Sequence, residues 1–161
     1  MSLRKTIVGA LSVIALVGFA TMASAQQRPS YGPVVTLDTA KKMAAASAAE
    51  AKKNKWNVAI AIVDNHGFLI YYERLDDTQT ASPAIAVEKA RTAAMFRRPS
   101  KAFEDVVGKG RVAVLGLPGA TPITGGLPIM VGGRVAGAIG VSGVTSEQDE
   151  QVAKAGIDAL K

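Results

Sequence analysis

The only histidine of the sequence, His66, lies within Asp-Asn-His-Gly at positions 64–67. An imidazole serves near neutral pH as a general base or as a metal ligand, so His66 is a candidate ligand for a metal. The same tetrapeptide begins with Asp and ends with Gly, which suits a type I turn with a bulge. In a turn, His66 needs no chemical role, and the sequence leaves both interpretations open.

Three cations are candidates for binding an anion: Arg91, Lys89 and Arg74. A guanidinium pairs with a carboxylate through two parallel hydrogen bonds. Arg91 and Lys89 fall with Thr92 in a predicted helix, where Glu88 offers Arg91 an alternative partner one helical turn away. The pattern therefore fits an anion site and a solvated helix face equally well.

Other catalytic chemistries are poorly supported. The run Gly-Val-Ser-Gly-Val at 140–144 lacks the final glycine that a serine nucleophile elbow requires. The glycines of 125–143 follow neither the phosphate-loop nor the dinucleotide order. The acidic neighbours Asp76–Asp77 and Asp149–Glu150 point apart, so they are poor acid–base pairs. The absence of cysteine excludes thiol nucleophiles, zinc fingers, iron–sulfur clusters and covalent haem attachment.

The first 25 residues have the order of a cleaved secretory signal: a basic start, an apolar stretch, and small residues at 23 and 25. We therefore expect export to the periplasm or the medium, with no stable membrane insertion after cleavage. Loss of Arg4 and Lys5 lowers the formal charge from +6 to +4. The remaining cations are scattered and aromatic residues are few, so we expect no nucleic-acid binding.

The mature chain is long enough for one domain. Residues 26–35 are predicted to be a flexible segment, and residues 36–161 the domain itself. An alanine-rich helix is predicted from Thr36 or Asp38 to about Lys53, capped by one of these two residues. Its expected buried side consists of small and apolar residues: Leu37, Ala40, Ala44, Ala48 and Ala51.

A hairpin is predicted over 56–75, with Val58, Ile60 and Ile62 on one face. A helix follows to Phe96, with Ser82 as a predicted cap and Pro83 at its first position. Val87, Ala90 and Ala94 are expected to face the sheet, and the remaining circumference to carry Glu88, Lys89, Arg91 and Thr92. A short helix ended by Gly108 completes this part.

A second hairpin is predicted around Gly132–Gly133, pairing Val131 with Arg134 and Met130 with Val135. One face then carries Met130, Val135, Ile139 and Val141, and the other carries Leu127, Ile129, Ala136, Ala138 and Gly140. The second face carries several minimal side chains, so we expect a flat ligand, a helix or a neighbouring subunit to pack closely against it. A last helix is predicted after Thr145 or Ser146.

Four segments in order resemble the GlcG/HbpS family of haem-binding-type proteins: VAIAIVDNHGFLIYYERLDD, AVEKARTAAMFRRPS, GGLPIMVGGRVAGAIGVSG and QDEQVAKAGIDAL. The resemblance covers about residues 36–161. It implies an α+β fold, a profilin-like α/β/α sandwich with a central antiparallel sheet, which agrees with the predicted order of elements. It also implies homo-oligomers, and haem as the ligand of several members.

One departure from the family pattern concerns the first hairpin. Family members commonly read VDAGGHL there, whereas this chain reads VDNHGFL, so Phe68 takes the usual place of the histidine. The resemblance therefore assigns no axial haem ligand to this chain.

We expect an exported, homo-oligomeric haem-binding protein, a carrier or sensor accessory without strong catalytic chemistry. Haem would lie between segment 116–128 and helix 83–96, near Gly125, Gly126 and Thr92, with Arg91 or Lys89 pairing its propionates. The alternative is an enzyme or accessory factor for a small carboxylate, held by Arg91 and the Gly125–Gly126 amides. Asp149 or Glu88 would then carry the proton. A third possibility is a purely structural oligomer.

Overall fold

The computed structural model describes residues 27–160; the predicted signal segment lies outside them. The described chain contains one antiparallel sheet with the strand order β2-β1-β4-β3. The strands are β1 (Ala59–Asp64), β2 (Leu69–Arg74), β3 (Gly126–Val131) and β4 (Arg134–Ser142). The helices are α1 (Leu37–Lys53), α2 (Ser82–Phe96), α3 (Lys101–Gly108) and α4 (Ser146–Asp158), with a 3-10 helix at Val112–Gly116.

The elements form three layers. Helices α1 and α4 pack on one face of the sheet, and α2 covers the other. Alternate residues of β1 belong to two buried clusters, one on each face of the sheet. Ile60 and Ile62 point towards α1 and α4, and Ala61 and Val63 point towards α2. This arrangement confirms the predicted α+β sandwich. None of the helices in 27–160 is long and apolar enough to span a bilayer.

Helix α1 begins as predicted, with Thr36 as its N-cap accepting a hydrogen bond from the Thr39 amide. Its alanine face is buried from Ala40 onward. Leu37 is an exception, because it is 49% exposed at the first helical position, before the helix meets the core. The buried side of α1 also includes Met43 and Ser47.

The first hairpin has the predicted turn. The Asp64 carboxylate accepts hydrogen bonds from the backbone amides of His66 (2.8 Å) and Phe68 (2.9 Å). Gly67 lies in the left-handed region with φ of 92°, which glycine adopts without steric strain. The tip therefore presents His66 and Phe68 outward, with Phe68 71% exposed.

Helix α2 lies with its backbone against the two glycine-containing strands. A Cβ added at Gly140 would lie 2.1 Å from the Ala86 carbonyl oxygen, and one at Gly126 would lie 2.2 Å from that of Lys89. This face of the second hairpin is therefore covered by the chain's own helix. Of the three alternatives expected for this face, a helix is the one found, and α2 fills the space that a flat ligand would need.

Two further details of the sequence prediction are wrong. Leu127, Ile129 and Ala136 pack with the α1–α4 cluster, because a register shift between Ile129 and Met130 changes the side to which the neighbouring residues point. Ser82 does not cap α2: Ala81 occupies the cap position, and the buried Ser82 hydroxyl accepts a hydrogen bond from Ser142. The pairing around Gly132–Gly133 and the Thr145 cap of α4 are confirmed.

Replacement of Gly140 by alanine is expected to lower the free energy of unfolding by about 1–3 kcal/mol or more, because the added methyl group overlaps the α2 backbone. Urea denaturation measures the change. Gly108→Ala is the control, since nothing lies within 4 Å of a Cβ at Gly108. Equal stability of the two variants would contradict the close approach of α2.

Candidate functional site

The structure separates the seven residues predicted to bind a ligand into three places. Lys89, Thr92, Gly125 and Gly126 lie in the interior on the sheet side of α2, while His66 and Arg91 lie at the surface near the tip of the first hairpin. Arg74 lies at the end of β2, in a separate cleft. These residues therefore do not form one site, and each group requires its own interpretation.

Lys89 is buried in an ion pair. Its side chain is 2% exposed, and its Nζ lies 2.7 Å from Asp149 Oδ2 and 3.0 Å from the Val141 carbonyl oxygen, to both of which it donates. The prediction that Lys89 lies on the exposed circumference of the helix is therefore wrong. A ligand at the surface does not meet its ammonium group, and Asp149, equally buried, is poorly placed to exchange a proton with one.

Gly125 makes room for this ion pair. Its φ of 122° is unfavourable for residues with a side chain, and a Cβ there would lie 3.0 Å from Lys89 Nζ and 2.8 Å from the Val141 carbonyl oxygen. The other Asp149 oxygen accepts a hydrogen bond from the Val144 amide. Burial raises the pKa of Asp149, and the hydrogen bond and charge of Lys89 offset part of that rise.

Thr92 and Gly126 also make internal contacts. The Thr92 hydroxyl donates to the Glu88 carbonyl oxygen (2.8 Å) and accepts from the Thr121 amide (2.8 Å), which ties α2 to the following loop. The Gly126 amide donates to the Ser100 hydroxyl at 2.9 Å. The Gly126 amide is therefore not free to bind a small carboxylate together with Gly125 and Arg91, as the alternative prediction required.

A second group of residues surrounds Gly67 at the protein surface. A Cβ at Gly67 would lie 3.5 Å from both Met95 Sδ and Arg91 Cγ, and one at Gly119 would lie 3.5 Å from Met95 Cε. Met95 thus lies between two glycine turns and remains 40% exposed. We call this region, formed by His66, Gly67, Arg91, Met95 and Gly119, the His66–Met95 surface.

Tyr31 connects the His66–Met95 surface to the N-terminal segment. Its hydroxyl donates to the Met95 carbonyl oxygen at 2.9 Å, and its ring stacks loosely on His66 with centroids 6.3 Å apart. The Arg97 guanidinium lies over the Tyr31 ring, 5.1 Å from its centroid. Residues 30–35, predicted to be flexible, hydrogen-bond to Val135 and Ala136 of β4, which fixes Tyr31 beside the imidazole.

The His66–Met95 surface has an apolar and cationic border. Arg91 is exposed and donates to Glu88 at 3.0 Å, a contact that is worth little at the surface and is readily exchanged. Large apolar side chains are exposed at the hairpin tip and in the segment after α3, namely Phe68, Leu69, Val112, Leu115, Leu117 and Ile123. Exposed apolar side chains mark a binding surface where they form a contiguous patch.

Arg74 lines a cleft of about 480 Å³ beside Trp56, at the C-terminal end of α1. Lys52 and Lys55 line the same cleft, together with the acids Glu73, Asp76 and Asp77. The cleft carries charges of both signs, so it does not favour an anion. The sequence had suggested Arg74 as an anion-binding residue without these acidic neighbours. It lies apart from the His66–Met95 surface.

Residues 35–158 match the family model described as "Haem degrading protein HbpS-like". The chain belongs to the HbpS-like family. It is 43% identical over 109 residues to Protein GlcG of Escherichia coli K12, an alignment that covers 68% of this chain and 81% of GlcG. The predicted GlcG/HbpS membership is therefore confirmed.

Two solved structures illustrate the similarity of this fold to those of known proteins. A crystal structure of Streptomyces reticuli HbpS, as a double mutant, superposes with a TM-score of 0.75 at 28% identity and covers 95% of this chain and 99% of that one. The crystal structure of a PduOC:haem complex has a TM-score of 0.72 at 25% identity and covers 78% and 94% of the two chains. The HbpS-like sandwich is thus shared over nearly the whole domain.

Sequence reasoning missed the surroundings of the first hairpin tip. It did not place Met95 against Gly67, and Tyr31, which stacks on His66, lies in a segment predicted to be flexible. The proximity of these residues depends on where α2 crosses the hairpin tip, which the chain order does not reveal. The same reasoning missed the Lys89–Asp149 pair, whose members are 60 positions apart.

Replacement of Lys89 by methionine is expected to destabilise the fold by about 3–5 kcal/mol at neutral pH, because Asp149 is left buried without its partner. A protein with a raised carboxyl pKa binds a proton more tightly when folded than when unfolded, so stability falls as the pH rises through that pKa. Removal of Lys89 raises the pKa of Asp149 further, so the deficit is expected to be smaller at acidic than at neutral pH.

Urea denaturation at both pH values checks this expectation. The double variant Lys89→Met/Asp149→Leu is the control, because it removes the stranded charge and is expected to recover most of the lost stability. A deficit that is independent of pH and unchanged in the double variant would show that the ion pair is not its source.

Proposed function

We propose that this protein is exported and binds haem non-covalently at the His66–Met95 surface, as a carrier or sensor accessory that works as a homo-oligomer. The observation that supports the site best is that the only imidazole of the chain is exposed at the hairpin tip, next to Gly67, which lies against the Met95 side chain. Family membership supports the ligand, because a haem complex of the related PduOC domain is known.

The side chains of this surface fit the chemistry of haem. Imidazole and thioether are among the groups that hold haem iron in proteins, and both are accessible here. Covalent attachment is excluded, because the chain has no cysteine. Among residues 27–160 no cluster of three or more histidine and acidic side chains is placed to hold a bare metal ion, so His66 is better suited to a prosthetic group that brings most of its own ligands.

Each residue of the surface has a distinct proposed part in binding. Haem, once held, supplies the iron centre that a carrier transports or a sensor detects. His66 offers its imidazole to the metal, and Tyr31 restricts the orientation of that ring from behind. Arg91 exchanges its exposed contact with Glu88 for a propionate, to which a guanidinium binds bidentately. Met95 would offer its thioether as a further group for the metal, and Phe68 would exclude water from the edge of the macrocycle.

Oligomer formation is proposed on the exposed apolar segment after α3. Val112 and Leu115 are 63% and 61% exposed, and a partner subunit that covered them would also shield the neighbouring haem surface. In this arrangement the haem site and the subunit interface share the same loop.

Replacement of His66 by alanine is expected to weaken hemin binding by roughly tenfold or more, a change of about 1.4 kcal/mol, and to shift the Soret band of the complex. The measurement is a spectrophotometric titration of the purified mature protein. Added imidazole is expected to restore the original band in His66→Ala, which distinguishes loss of ligation from misfolding. A spectrum identical to that of the unmodified protein would remove His66 from the site.

The thioether is tested by a matched pair of variants in the same titration. Met95→Leu keeps the apolar volume but removes the sulfur, and Met130→Leu makes the same change at a methionine that is also 40% exposed but lies on β3. Only Met95→Leu is expected to alter hemin affinity or the Soret band. Equal effects of the two variants would place the haem elsewhere.

The full-length chain is expected to lose residues 1–25 when it is exported from a bacterial host, leaving Gln26 as the first residue. Cell fractionation followed by intact-mass measurement checks both the compartment and the cleavage site. A variant with Ala23→Leu and Ala25→Leu, which removes the small residues before the site, is expected to retain the leader. Full-length protein in the cytoplasmic fraction of the unmodified chain would contradict the proposal.

A further inference from the structure

Three arginines converge on a small cavity at the C-terminal end of α2. The cavity has a volume of about 210 Å³ and is lined by residues 27–29 of the N-terminal segment and by residues from 97 to 102. Arg28, Arg97 and Arg98 provide all of its charged lining. Phosphate and carboxylate groups are small enough for such a volume.

Each guanidinium is held by the protein while most of its N–H donors remain free. Arg28 donates to the Phe96 carbonyl oxygen at 2.8 Å, and Arg97 donates to that of Pro29 at 3.2 Å. The Arg98 guanidinium lies 3.9 Å from the centroid of the Phe103 ring, and its Nε is buried without a hydrogen-bond partner. A buried donor without a partner is costly, so the fold leaves the hydrogen-bonding capacity of Arg98 incompletely satisfied.

The fold places no negative charge among these arginines. The lining contains no aspartate or glutamate, and no carboxylate of residues 27–160 lies within ion-pair distance of the three guanidiniums. Burial lowers the pKa of Arg98, and the nearby charges of Arg28 and Arg111 lower it further. Positive charge brought together in this way is stabilised when an anion is bound between the groups.

Local backbone structure maintains the convergence. Arg97 ends α2 in the left-handed conformation with φ of 54°, a strained state for a residue with a side chain. The reversal turns Arg97 towards the N-terminal segment and lets Arg98 follow directly, and Pro99 prevents the helix from continuing. The two adjacent arginines thereby meet Arg28, which is almost seventy positions away in the chain.

We propose that the Arg28–Arg97–Arg98 cavity binds an oxyanion group, a phosphate or the carboxylates of a small dicarboxylic acid. Planar guanidiniums match both groups through paired hydrogen bonds. The guanidiniums of Arg28, Arg97 and Arg98 supply these donors, and the cavity admits the anionic group rather than a bulky ligand. The cavity lining shares no residue with the His66–Met95 surface, although Arg97 also contacts Tyr31 beside it, and the proposal does not depend on haem binding.

The experiment is isothermal titration of the mature protein with inorganic phosphate and, separately, with succinate, at constant ionic strength so that general screening does not change. Arg98→Gln is expected to weaken binding at least tenfold. Arg111→Gln is the control, because it removes an exposed guanidinium close to the cavity but outside its lining, and it is expected to change the affinity less than twofold. Tighter binding of one of the two anions identifies the source of the oxyanion.

Absence of saturable binding for both anions, or equal losses in Arg98→Gln and Arg111→Gln, would overturn the proposal. If Arg98→Gln does not fold, Arg28→Gln tests the same cavity from an exposed position and is expected to weaken binding in the same direction. Hemin titration of Arg98→Gln separates this site from the other: unchanged hemin affinity with lost phosphate or succinate binding is the expected pattern. Loss of hemin binding alone, with anion binding intact, would contradict the separation of the two sites.

Discussion

The contact of the α2 backbone with β3 and β4 determines most of the remaining structure. Glycines at 126 and 140 allow a helix carbonyl to approach the strands more closely than any side chain would permit, and small residues at 86, 90 and 138 complete the contact. A helix that lies so close has little freedom to slide or rotate, because a small shift would drive its backbone into the sheet. The positions of Lys89, Met95 and Arg97 along α2 are therefore fixed by the packing beneath them.

The buried ion pair follows from this packing and reinforces it. A helix that lies so near the sheet brings Lys89 beneath the loop after β4, where water does not reach its ammonium group, and Asp149 supplies the opposite charge from the first turn of α4. Desolvation of two charges offsets much of their attraction, so the pair contributes little net stability. Its main effect is to specify one arrangement of the fold. Helices α2 and α4, on opposite faces of the sheet, are held in one relative position, because any other position would leave a charge buried without a partner.

The sequence predicts the scaffold better than the site, for a physical reason. Periodicity and turn chemistry are local, so Thr36, the Asp64–Gly67 turn and Gly132–Gly133 could be assigned from neighbouring residues. The side of the sheet to which a residue points beyond a bulge cannot be read from its neighbours in the sequence. For this reason Leu127 and Ile129 were placed on the wrong side. Charged residues were expected at the surface by composition, and Lys89 could be recognised as buried only once its distant partner was known.

The two sides of α2 show why a shared fold leaves the ligand open. Lys89 and Arg91 are two positions apart, yet the helix turn directs one into the core and the other to the surface. The inward residue belongs to the packing of this sandwich, and the outward residue lies on a surface that the packing does not constrain, so the fold alone does not determine what the protein binds. A histidine at position 66 in place of 68 changes this outer set while leaving the turn intact, since the Asp64 carboxylate bonds to backbone amides at both positions. The turn therefore accommodates a histidine at either position without disturbing the sandwich below it.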